Sequence, residues 1–300
     1  MNKVNIGIIG RGFVGSAVEF GFGPQTGCDW ANLKVFDIDP LKSTNSLEET
    51  INESDFIFVS LPTPSNEDNS INIDILFDAF KDINNINKRD DNIFLVRSTV
   101  VPGTCEKLSA TFPNQNIVFN PEFLTERSAN FDFINQSRYI LGGDKKNTAK
   151  TSELFRKRFG KSIAVIETNF NTAEMIKYMC NCFFATKVSF LNEMKLVADK
   201  SEVDWDTAID GFIRDGRIGH SHLSVPGPDG KLGFGGSCFP KDIKALEHTA
   251  QQVGYNANLI KAVQIVNDTQ KTTLYSKLAA HFGGTTQLEG LTIAVWGLSF

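Results

Sequence analysis

The stretch "VNIGIIGRGFVG", Val4–Gly15, decides the fold. A short apolar run rich in β-branched residues ends at Gly10, and Gly12 and Gly15 complete GxGxxG spacing. Each glycine has its own task in a strand-turn-helix that binds a dinucleotide. The first permits the tight turn, the second lets a pyrophosphate approach the backbone, and the third lets the helix lie close to the strand. Phe13 and Val14 open the helix, whose free amides face the phosphates. A second run, "LKVFDID", Leu33–Asp39, carries Asp37 at its end. That is the distance expected for the acidic residue that holds the adenosine ribose hydroxyls. A carboxylate there favours NAD over NADP, because it repels the extra phosphate.

Further runs recur along the first half: "DFIFVSLP" (55–62), "NIFLVRSTV" (92–100), "NIVFNPEF" (116–123), "RYILGG" (138–143) and "SIAVIE" (162–167). Helical segments such as "SINIDILFDAFKDI" (70–83) lie between them. Strands apolar on both faces and spaced by helices predict an α/β fold with a Rossmann-like parallel sheet covered on both sides. Residues 1–170 are read as this NAD-binding domain.

At 300 residues the chain is long enough for two domains and a large core. A formal net charge of -5, without basic runs, argues against nucleic-acid binding. No apolar stretch reaches the length of a membrane span, and the amino terminus shows no signal-peptide layout. Five cysteines without a CxxC pair and four histidines without HxxxH spacing build neither a disulfide framework nor a metal site. The expectation is a reduced, metal-free, cytoplasmic protein.

The pattern changes after Asn169. From Asn171 to Val203 there is neither glycine nor proline. Asn171 or Thr172 can cap a helix there, and roughly thirty residues would span about 45 Å. Met175, Met179, Phe183 and Val188 mark an apolar stripe, widened by Ile176, Cys180, Phe184, Leu191 and Met194. A helix so long and apolar is expected to cross between domains or to pack on a partner chain. Helical signals return after a glycine-rich segment that ends in "GFGGSCFPKD", Gly233–Asp242. Residues 171–287 are therefore read as a long central helix and an α-helical middle domain.

Several polar residues could carry chemistry. Lys177 and Asn181 are four apart and share a helix face, as functional groups or as solvated polar residues. In "NPEFLTE", Glu122 and Glu126 are a loop carboxylate pair or surface charge. Thr63 and Thr99 follow the third and fourth strands, at the carboxyl edge where α/β proteins bind ligands. Cys238 is a nucleophile or a buried, inert thiol. The other four cysteines match no motif and are read as core or incidental residues.

Taken in order, "GRGFVG", "LPTPS", "STVVPGT", "NPEFLTE", "AEMIKYMCN", "GRIG" and "GFGGSCFPKD" resemble the motif set of the UDP-glucose and GDP-mannose dehydrogenase family. "SVPGPDGK" (224–231) looks more like its UDP-glucose branch. The resemblance implies oxidation of a sugar primary alcohol to a carboxylate with two NAD, through a cysteine thiohemiacetal and thioester. It implies Cys238 as nucleophile, with Lys177 and Asn181 holding the reacting oxygen. Asp242 would position or activate water, with Thr99 and Glu126. Lys241, Thr63, Thr99 and Glu126 would face the cofactor. Glu122, the backbone of Phe123 and Leu124, and Gly235 would line the sugar nucleotide. Arg217 would reach its diphosphate, from the partner subunit of a homodimer joined through the long helix.

The family's third domain would begin in "LEGLTIAVWGLSF" (288–300). Residues 288–300 are thus read as the start of a truncated UDP-binding α/β domain, with weaker uridine diphosphate binding and a site more open to water. The last strand is expected to be disordered or to pair elsewhere. Other readings are the same chemistry on GDP-mannose or a UDP-acetamido sugar, a two-electron hydroxyacid dehydrogenase, and an NAD-binding dimerisation module without turnover.

Overall fold

A computed structural model of the chain describes residues 3–295. Its residues fall into two compact units. The first comprises residues 1–180 with 244–253, and the second residues 181–243 with 254–300.

In the first unit, the described residues form one seven-stranded sheet of order β2-β1-β3-β4-β5-β6-β7. The strands are β1 (Val4–Ile9), β2 (Ala31–Phe36), β3 (Phe56–Val59), β4 (Ile93–Val96), β5 (Asn116–Phe119), β6 (Arg138–Gly143) and β7 (Ala164–Thr168). Between them run α1 (Phe13–Phe22), α2 (Leu47–Asn52), α3 (Asp74–Ile86), α4 (Thr104–Thr111), α5 (Ala129–Ile134) and α6 (Lys145–Phe159). Every neighbouring pair is parallel except β5 with β6, which is antiparallel. The sheet is therefore mostly rather than wholly parallel. The connection between β5 and β6 contains a short 3-10 turn, Glu126–Ser128, and the six-residue helix α5.

Alternation along the strands sends side chains to two cores. Ile6, Ile8 and Phe58 join Phe22, Phe133, Tyr139 and Phe155 on one face. Ile57, Phe94 and Phe119 join Phe80 and Leu76 on the other. The abundance of phenylalanine has a structural account here. Phe22 lies within 6.4 Å of Trp30, Phe58, Phe133, Phe155 and Phe159. Tyr139 stacks on Phe155 at 4.4 Å and on Phe159 at 4.7 Å. Such ring pairs contribute beyond their buried area.

The long helix α7 runs over Phe170–Lys200, 31 residues. Its cap is neither Asn171 nor Thr172. Asn169 Oδ1 accepts from the Thr172 amide at 2.8 Å, so the cap lies two or three residues earlier than expected. Its apolar stripe is only partly covered: Leu191 is buried, and Met175, Ile176, Phe184, Val188 and Met194 are half-buried. Met179 and Phe183 are each 61% exposed, with Phe190 and Val197 about half exposed beside them. The opposite face buries Glu174, Lys177, Asn181, Ser189 and Asn192. Buried polar groups require partners, and those partners define the site described below.

The second unit is helical. Besides its part of α7 it contains α8 (Trp205–Ile213), α10 (Asn258–His281) and the first turn of α9 (Phe239–Gln252), whose later residues belong to the first unit. Within the tail, Leu291–Val295 form no strand; Trp296–Phe300, the rest of the expected apolar strand, lie outside the described residues. Among the described residues no helix is long and apolar enough to cross a membrane.

Candidate active site

The dinucleotide loop in the first unit has the geometry its spacing predicts. Gly10 has φ +89°, and a Cβ there would lie 2.2 Å from the Ser60 carbonyl oxygen. A Cβ on Gly15 would lie 1.9 Å from the Gly10 carbonyl oxygen, whereas one on Gly12 would meet nothing within 4 Å. The turn is closed at its first and third glycines and open at the second, where a pyrophosphate has to approach. α1 begins at Phe13 with no side chain capping it, so its first amides, Val14 among them, are left for an anion. Asp37 lies one residue past β2. Its carboxylate accepts from the Arg11 amide at 2.6 Å and the Asp39 amide at 2.9 Å. Burial alone would raise its pKa; the Asp39 and Arg11 amides hold it below the ordinary carboxylate range. The carboxylate is thus ionised and fixed, as a ribose acceptor has to be. These features fit NAD.

At the carboxyl edge of the sheet, Thr63 Oγ1 donates to the Thr99 carbonyl at 2.8 Å, and Ser98 Oγ accepts from the Leu61 amide at 2.9 Å. The loops after β3 and β4 are thereby tied together. "NPEFLTE" divides its two acids. Glu122 is buried, which removes the surface-charge reading for it, whereas Glu126 is exposed on a short 3-10 turn. Lys177 donates to Glu122 Oε1 at 2.5 Å and to the Glu122 carbonyl at 2.7 Å. The Leu124 amide donates to the other carboxylate oxygen at 2.8 Å. Burial opposes the Glu122 charge, but Lys177, the Leu124 amide and Arg97 together hold its carboxyl below the usual range. Lys177 also lies 5.5 Å from the centre of the Phe123 ring.

In the second unit, Cys238 directly precedes α9, and its carbonyl accepts the Asp242 amide at 2.9 Å in the first turn. The thiol is half-buried. It sits at the N-terminus of α9. Asp242 is 1% exposed. Its carboxylate accepts from Asn181 Nδ2 at 2.6 Å and from Lys241 Nζ at 2.7 Å. Asn181 on α7 is thus joined through Asp242 to Lys241, the latter two both on the first turn of α9 that follows Cys238. Cys182, by contrast, is buried, and burial with the nearby Asp242 charge pushes its thiol up to about 12. Gly235 is exposed, with open space where a Cβ would be. Arg217 is exposed and ion-paired with Asp215.

Sequence reading overlooked residues that hold these groups. Arg97 is fully buried and donates to Asn120 beside Glu122. Glu174 accepts the Gly103 and Cys105 amides, each at 2.8 Å, fastening the start of α4. Asn192 and Asn267 bind the backbone of Gly233 and Phe234. A signal existed for two of them. Glu174, Lys177, Asn181 and Asn192 recur at helical spacing on one face of α7.

Two family models match most of the chain. One is the NAD binding domain of the UDP-glucose/GDP-mannose dehydrogenase family, at residues 31–159, and the other is that family's central domain, at residues 171–269. The chain belongs to this family. It contains the NAD-binding domain, and NAD is its cofactor. UDP-glucose 6-dehydrogenase YwqF of Bacillus subtilis (strain 168) is 36% identical over 87% of the chain and 58% of the relative. The UDP-glucose 6-dehydrogenase of Rickettsia prowazekii (strain Madrid E) is 34% identical over 87% of the chain and 60% of the relative. The chain therefore spans about three-fifths of the length of these curated relatives. Among solved structures, a UDP-glucose dehydrogenase from Pyrobaculum islandicum superposes with a TM-score of 0.80 at 25% identity, covering 94% of this chain and 72% of that one.

Proposed function

We propose that the chain carries out an NAD-dependent four-electron oxidation of a nucleotide sugar, UDP-glucose to UDP-glucuronate. The observation that carries this reading is Cys238 at the N-terminus of α9, one turn before the buried Asp242 that Asn181 and Lys241 hold. A two-electron alcohol dehydrogenase has no use for such a thiol.

NAD, held by the Gly10–Gly15 loop and Asp37, would supply the hydride acceptor for each of the two oxidations. Lys177 and Asn181 donate to the alcohol oxygen and stabilise the charge that grows on it. After the first oxidation the Cys238 thiolate adds to the aldehyde carbon, and the carbonyl oxygen takes up the negative charge. The resulting thiohemiacetal again has a hydrogen and an oxyanion on one carbon, as a second oxidation requires. The product of that step is a thioester. Asp242 orients the water that adds to it, assisted by Thr99 and Glu126, and the carboxylate leaves as the thiolate reforms. Phe123, Leu124, Glu122 and Gly235 line the sugar nucleotide. Arg217 has to release Asp215 before it can bind the diphosphate.

The exposed stripe of Met179, Phe183, Phe190 and Val197 on α7 supports a homodimer joined through this helix, since apolar area of this kind is stabilised by burial against a partner. A cytoplasmic location fits the same chemistry, because reducing compartments keep a catalytic thiol free. The test is stoichiometric: purified protein is given UDP-glucose and NAD, and NADH per sugar is counted for wild type and Cys238→Ser. Wild type is expected to yield about two, and the serine variant to be blocked, because a hydroxyl is a far poorer nucleophile than a thiolate near neutral pH. Equal turnover in both proteins would overturn the covalent route. Turnover on GDP-mannose or a UDP-acetamido sugar alone would reassign the substrate, and NAD binding without turnover on any of them would leave a binding module.

A further inference from the structure

The segment before the cysteine is fastened by two buried asparagines, neither of which is near enough in sequence to be part of its turn. Asn192 on α7 accepts the Gly233 amide at 2.9 Å, and its own amide is held by the Val188 carbonyl at 2.8 Å, so its oxygen faces the loop. Asn267 on α10 accepts the Phe234 amide at 2.7 Å and donates to the Phe234 carbonyl at 3.0 Å. This is the pair of hydrogen bonds a neighbouring strand would make. Asn192 is 1% and Asn267 6% exposed. The loop lies so close that a Cβ on Gly233, at φ +75°, would be 2.5 Å from Asn267 Oδ1. Beyond the clamp, Gly235, Gly236 and Ser237 are exposed and have little to hold them. The Phe234 ring meets the Phe239 ring edge-on at 6.2 Å, so the clamped residue also packs on the residue that follows Cys238.

We propose that Asn192 and Asn267 are positioning residues that set the location of the Cys238 sulfur by fixing the backbone of Gly233 and Phe234. They touch no reacting atom. The inference rests on the reading of Cys238 as nucleophile for its effect on turnover, but not for its effect on the thiol. The test uses Asn267→Asp, which sets a second carboxylate oxygen against the Phe234 carbonyl, and Asn192→Ala, which removes one acceptor. In folded variants kcat on UDP-glucose is expected to fall roughly ten- to a hundredfold, the scale of a displacement of about 1 Å. KM for NAD should stay within about twofold, because NAD is bound by other groups. Alkylation of Cys238 by iodoacetamide should accelerate at least threefold as the loop loosens, which a loss of stability alone would not cause in folded protein. Folded variants with wild-type kcat and alkylation rate overturn the proposal. Amide hydrogen exchange on the wild type decides it if both variants unfold: Phe234 protected while Gly235 and Gly236 exchange rapidly supports the clamp, and equal rates refute it. A wild type that turns over no nucleotide sugar defeats the functional reading alone, since alkylation and exchange still report on the clamp.

Discussion

Glu122→Gln removes a charge and little else. Glutamine keeps an oxygen for the Leu124 amide and one polar contact to Lys177. What it loses is the anion opposite an ammonium group whose side chain is 4% exposed. Removing one partner of a buried ion pair costs about 3–5 kcal/mol because the other charge is left uncompensated. The Glu122 carbonyl still accepts from Lys177 at 2.7 Å, so the lower end, about 3 kcal/mol, is expected. At roughly 2–4 °C per kcal/mol for a unit of this size, the first thermal transition should drop by about 6–12 °C at pH 7. The pH dependence follows from the direction of the shift. The folded-state pKa of Glu122 is depressed, so the native state binds fewer protons than the unfolded chain. Its contribution is complete above the unfolded value of about 4.3 and is lost as pH falls through the lower, folded value. The gap between wild type and variant, followed by circular dichroism melts, should therefore narrow as pH falls below about 4. The double variant E122Q/K177M should melt above E122Q, because it leaves no orphaned ammonium. A gap under about 2 °C at pH 7, or melting losses that simply add in the double variant, would refute the pairing.

Other outcomes follow from named geometry. Gly15→Ala is expected to destabilise the fold or abolish NAD binding, since its Cβ would lie 1.9 Å from a carbonyl oxygen. Gly12→Ala should melt like wild type but bind NAD at least about tenfold more weakly by calorimetry, because the methyl occupies the open approach to the backbone; wild-type affinity would contradict the loop assignment. Iodoacetamide at pH 8 should label Cys238 well before Cys28, Cys105 and Cys182, whose thiols burial holds above their ordinary range; peptide mass mapping that finds Cys182 modified first would reverse the assignment. Phe190→Glu should shift the sedimentation of micromolar protein from dimer to monomer, and an unchanged dimer would move the interface off α7.

Much of the first unit was legible because its signals are local. "VNIGIIGRGFVG" contains a strand, a turn and a helix start within twelve residues, and Gly15 is required by the Gly10 carbonyl five residues before it, although Gly10 itself is crowded by the distant Ser60 carbonyl. "RYILGG" coincides with β6 as the structure bounds it, since both its ends are set by its own composition. The reversal of that strand against β5 was not legible. It depends on the path the chain takes between the two strands, which no strand pattern encodes. Asn169 as the cap of α7 was missed for a similar reason, because a glycine-free run shows where a helix is permitted rather than which side chain turns back to its amides.

Residue type and order determined the dinucleotide loop, the cysteine before α9 and the family to which the chain belongs. Those depend on glycine backbone freedom, thiol chemistry and spacing, which are properties of short stretches. Only the tertiary structure decided which of two identical acids in "NPEFLTE" is ionised in the interior. Glu122 meets Lys177 across 55 residues while Glu126 faces solvent. It also decided that α7 buries Glu174, Lys177, Asn181 and Asn192 while Met179 and Phe183 stay exposed, and that asparagines 41 and 33 residues away hold the cysteine loop. Buried polar groups have to be paired, and which groups pair is settled by packing between distant segments, a relation that no single stretch of the chain contains.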